Sequence, residues 1–182
     1  MILEKEDEMT KKLLMILLVI SLLLTSTGWY TTHQKTIAYE TRNASLLWNT
    51  LTELHDVMHA IADSLPEDEE FNQAVFTTSI NKDIDKIKDL ARTLQLIQLK
   101  QYDIGGIYHT RLMLLARDLE NTIEHAINEG ESLDKEKAAF QSMSQWLSEI
   151  LYQDPIGVDG MFVEANHEAI GYKLDDLNDQ LQ

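Results

Sequence analysis

The chain has no cysteine, and only two prolines and seven glycines in 182 residues. Without cysteine there is no disulfide, no thiolate metal site, no cysteine nucleophile and no lipoprotein acylation, so the fold must rest on its apolar core. Scarce proline and glycine leave few places to interrupt a helix, and the frequent Leu, Ile, Ala, Glu, Lys and Gln make a helix-rich composition. Basic residues are few as well: 15 Lys and Arg stand against 31 Asp and Glu, a net charge of −16. A nucleic-acid binder needs a basic stripe that displaces counterions from phosphates. Anionic headgroups likewise attract polybasic surfaces. Neither fits this chain, so nucleic acid is set aside and a broad electrostatic dock on lipid is disfavoured.

A long apolar run is present at the N-terminus. Leu13 to Leu24 reads LLMILLVISLLL, and the uncharged stretch continues through Thr25, Ser26, Thr27 and Gly28 to Trp29 and Tyr30. Eighteen helical residues rise about 27 Å, close to the roughly 30 Å of a hydrocarbon core, and Trp29 with Tyr30 falls where an interfacial aromatic belt belongs. Lys11 and Lys12 flank the other end. This pattern predicts a cytoplasmic N-terminus over residues 1–12, a membrane anchor over 13–30 and an extracytoplasmic domain over 31–182, although Lys35 and Arg42 make the charge asymmetry modest. The competing reading is a signal peptide cleaved near Ser26-Thr27-Gly28, which would release a secreted protein. Both readings export the acidic remainder, which carries 12 Lys or Arg and 27 Asp or Glu.

Beyond the anchor the apolar positions fall into helical stripes. Leu47, Leu51, Leu54, Met58, Ile61 and Leu65 make the first, with Ile37 and Ala44 extending it backward so that the helix runs almost directly out of the membrane segment. Ser64-Leu65-Pro66-Glu67 has the form of a capping box and predicts a new helix start, followed by acidic residues 67–70 that suit the positive end of a helix dipole. Ile80, Ile84, Ile87, Ala91, Leu94 and Ile97 make the second stripe, and Gly105-Gly106 predicts a reversal. Tyr108, Leu112, Leu115, Leu119, Ile123 and Ala126 make the third, closed by Gly130 as a left-handed cap. Ser132 opens a fourth helix with Phe140, Met143, Leu147 and Ile150, stopped at Asp154-Pro155. A shorter stripe of Ile170, Leu174, Leu177 and Leu181 ends the chain, with Gly171 a local weakness. The expected fold is all-α: an N-terminal transmembrane or signal-anchor helix, then an antiparallel four-helix-bundle-like domain with an extra C-terminal helix packed outside or reaching to a partner.

No assembled catalytic constellation emerges. His55 and His59, four apart, place two imidazoles on one helix face beside Asp56, the spacing a transition metal uses, but they flank the core stripe and lack an HExxH context. Glu164-Ala-Asn-His167 has the Glu-x-x-His spacing of di-metal carboxylate bundles, yet occurs once. No cofactor is expected, and a divalent metal at His55, His59, Glu164 and His167 is the minor alternative. Asp154 to Gly160 reads as a turn rather than a calcium loop. Ser132-Leu-Asp-Lys135 reads as a helix cap rather than a nucleophile motif. Trp48 and Trp146 flank core positions, where they finish the packing or wall a slot. Asn43-Ala-Ser45 is a glycosylation sequon only in a host that glycosylates exported asparagines. The function expected is a non-catalytic interaction module held at an envelope, with a protein partner. The alternatives are a sensory ectodomain working through a membrane partner, and a metal-binding bundle.

Overall fold

In a computed structural model of the chain, residues 2–66, 73–97, 103–153 and 164–181 are described, and these form five helices with no strand among them. They are α1 (Ile2–Ser64), α2 (Gln73–Leu96), α3 (Ile104–Glu129), α4 (Asp134–Gln153) and α5 (Glu164–Gln180). The chain divides into two compact units, Met1–Arg42 and Asn43–Gln182.

In the first unit, every residue from Leu14 to Lys35 is exposed. That includes Leu14, Leu17, Leu18, Ile20, Leu23 and Trp29. This helix is long and apolar enough to cross a membrane. The backward extension of the first stripe stops short of Ile37, which is exposed, and Ala44 is half-buried.

The second unit holds one continuous apolar core built from all five helices. Its residues are the ones the helical periods single out: the first, second, third and fifth stripes are buried throughout. The fourth shifts at its end, where Leu151 is buried and Ile150 is only half-buried. From Phe140 through Leu147 the next positions on a 3.6-residue period straddle 150 and 151, and the packed neighbours select Leu151.

Local chemistry sets the helix ends. The Asp103 side chain accepts a hydrogen bond from the Gly106 backbone N–H at 2.9 Å, so Gly105 and Gly106 lie in the first turn of α3 instead of forming the reversal expected there. A Cβ at Gly106 would collide with the Asp103 carboxylate. One at Gly105 would sit 3.4 Å from the Gln95 backbone, so the glycine lets α3 start close against α2. Gly130 does cap α3, with φ 70° and its N–H bonded to Ala126 O at 2.9 Å. Ser132 accepts from the Asp134 N–H at 3.2 Å as α4 begins. Ser64 is the last residue of α1, its hydroxyl 3.5 Å from that of Ser79 on α2; Glu67 of the expected capping box and the Asp154–Gly160 turn lie outside the described residues.

Cross-helix contacts give the directions. His109 Nδ1 meets Ala91 O at 3.2 Å and Lys88 pairs with Glu120 at 2.7 Å, so α2 and α3 run antiparallel. Tyr152 packs edge-on against His55, while Lys137 donates to Leu65 O, so α4 runs antiparallel to the end of α1. The fifth helix packs on both α3 and α4 with its stripe inside the common core, rather than outside it. These pairings are compatible with a helical bundle.

Candidate functional site

Two features stand out from ordinary core and surface. The first is the exposed apolar helix of the N-terminal unit. Its hydroxyl side chains fold back onto their own backbone: Thr25 donates to Ser21 O at 2.9 Å, Thr27 to Leu23 O at 2.8 Å, Thr31 to Thr27 O and Thr32 to Gly28 O. A hydroxyl satisfied in this way needs no water, which is the condition for carrying it into hydrocarbon. Trp29 stacks on His33 with ring centroids 5.2 Å apart and planes within 6°, giving the end of the apolar run an amphipathic aromatic group.

The second is a polar seam between α3 and α5. Tyr108, on the buried face of α3, places its hydroxyl 2.8 Å from His167 Nδ1 on α5, and the rings meet edge to face at 6.0 Å. Tyr108 is fully buried and His167 is 1% exposed. Burial pushes the phenol far above its ordinary range, only partly offset by the nearby Arg111 guanidinium, and pulls the imidazole down to about 4. Further along, Arg111 Nε donates to Asp175 at 2.8 Å, Asn178 Nδ2 to Arg111 O at 3.2 Å, and the Thr122 hydroxyl to Leu181 O at 2.9 Å. Residue numbers rise together on both sides of the seam, so α5 lies parallel to α3. Gly171 makes the close approach possible, because a Cβ there would stand 3.2 Å from Ile107 Cγ2 and 3.5 Å from Arg111 Cζ. What looks in sequence like a weak point of α5 is the place where it touches α3.

The four histidine and glutamate candidates are each engaged differently. His55, mostly buried, hydrogen-bonds Asp56 at 3.0 Å. His59 is exposed and 3.7 Å from Asp63. His167 is bonded to Tyr108, and Glu164 is the first residue of α5. Among the described residues no group of three His, Asp or Glu side chains is disposed to hold a metal ion. Trp48 and Trp146 pack partly buried against the core. Asn43 is buried on α1. Sequence reading misses Tyr108 and Arg111 as polar contributors. Tyr108 sits on an apolar stripe, and nothing local links either residue to positions about sixty further on.

The sequence matches no known protein family, no curated protein and no solved structure.

Proposed function

We propose that the protein is a single-pass membrane protein whose residues 13–30 cross the bilayer and whose acidic helical residues 31–182 stand on the extracytoplasmic side as a non-catalytic protein-interaction module. One observation carries this reading: the apolar side chains from Leu14 to Leu24 are exposed around the whole circumference of the helix. Left in water, that surface is a strong drive to associate. The ten Leu, Ile and Val residues between 13 and 24 favour insertion by roughly 3–6 kcal/mol in total, with no charge in the run to oppose them. The folded-back hydroxyls support it, and so does the aromatic pair at Trp29 and His33. Unbroken helix through Ser26, Thr27 and Gly28 favours the uncleaved anchor over a released domain. Lys11 and Lys12 favour the orientation. The finer architecture we assign is four helices in antiparallel succession with α5 added alongside α3.

The interaction role is tested by placing a photo-crosslinking residue at exposed positions such as Glu53 and Gln141 in the full chain, in its native membrane. A discrete adduct with one other protein, recurring from positions on one face, is expected. A chain that yields no adduct from any exposed position, or one whose purified form turns over a substrate and loses the activity on a single histidine or carboxylate change, contradicts it.

A further inference from the structure

We propose that α5 is an acid-released clasp: charging His167 detaches α5 from α3 while the helices before it stay folded. The geometry makes His167 the sensitive point. It is 1% exposed, in the seam, with its Nδ1 committed to the Tyr108 hydroxyl at 2.8 Å. Neutral imidazole suits a buried bond to a phenol, because one ring nitrogen is an acceptor in either tautomer. Imidazolium carries two donors and a charge that has left water, and that charge is costly without close compensation.

The surrounding groups do not soften the change. From α3, Tyr108 is a neutral phenol and Arg111, near enough to act on Tyr108 electrostatically, is a cation that repels a second positive charge. On α5 itself Glu164 precedes His167 by one turn, Glu168 is exposed and Asp175 is held by Arg111. From α4, which also packs on α5, Glu149 and Tyr152 in the last turns are both exposed. Acid acts twice on this seam, since protonating Asp175 also removes the charge that Arg111 pairs with.

Release is confined to α5 because of how it is held. It is the shortest of the five helices at 17 residues, and four buried apolar side chains from Ile170 to Leu181 share its face with the polar seam. By contrast α2 runs 24 residues and buries Phe76, Ile80, Ile84, Ile87, Leu90, Ala91 and Leu94. Segments with fewer buried apolar contacts open at lower free energy. Opening would bare Ile170, Leu174 and Leu177 together with the α3 face they cover.

Hydrogen exchange of the full-length protein in detergent micelles, followed by mass spectrometry and corrected for intrinsic rates, tests this between pH 7 and pH 4. Because His167 titrates near 6.5 when exposed and near 4 when docked, the opening equilibrium of α5 rises roughly 25-fold between pH 7 and pH 5. Peptides from 164–181 lose protection by that order, while those from 80–94 keep theirs. In His167→Gln, whose amide can still bond Tyr108 but cannot charge, the pH-dependent loss disappears. Should that variant be open already at pH 7, the wild-type profile decides. The proposal is overturned if α5 keeps its protection down to pH 4, if all helices lose protection together, or if a folded His167→Gln protein still releases α5 in acid.

Discussion

Tyr108 and His167 are 59 positions apart, and neither announces the other in the sequence. Spacing within α5 pairs His167 with Glu164; only the folded chain brings a phenol from another helix to its ring. Removing that hydroxyl in Tyr108→Phe leaves shape and apolar area almost intact and deprives a buried nitrogen of its partner. A loss of about 1–3 kcal/mol in urea unfolding at pH 7 is expected. The histidine also makes stability depend on pH with a definite sign. Its docked value of about 4 lies below the unfolded one, so its contribution is fully present above pH 6.5 and lost as pH falls toward 4. The shift corresponds to about 3 kcal/mol. Unfolding curves of wild type and His167→Gln should therefore converge in acid and diverge above pH 6.5. Parallel curves would mean that the imidazole is not held neutral by its burial.

At the scale of helices, most of the fold is readable because one buried face repeats every three or four residues, as in Leu47 through Leu65 or Tyr108 through Ala126. What periodicity does not resolve is the choice between adjacent residues at a stripe's end. Ile150 and Leu151 are both apolar, and only the neighbouring helices decide that Leu151 is the one enclosed. Leu151→Ala should cost about 2–5 kcal/mol, and Ile150→Ala distinctly less, by chemical denaturation of the two variants side by side. Equal losses would place the fourth stripe in its sequence-expected register. Glycines mislead in the same way. Gly105 and Gly106 suggest a reversal when read alone, but the Asp103 cap and the closeness of Gln95 place them inside the first turn of α3. The role of Gly171 is invisible until α3 is beside it.

At the scale of the whole molecule, composition and patterning carry the account. A chain with ten Leu, Ile and Val residues in one exposed dozen, followed by 152 residues bearing a charge of −15, separates into a part that leaves water and a part that stays in it. The absence of cysteine offers a direct way to ask which side each part occupies, since a single introduced thiol is the only one to label. The decisive measurement is reaction of a membrane-impermeant maleimide with intact cells expressing the full chain carrying either Glu6→Cys or Gln141→Cys. The account predicts immediate labelling at position 141, and labelling at position 6 only after permeabilisation. Labelling at position 6 in intact cells with position 141 protected, or protection of both until lysis, would contradict it.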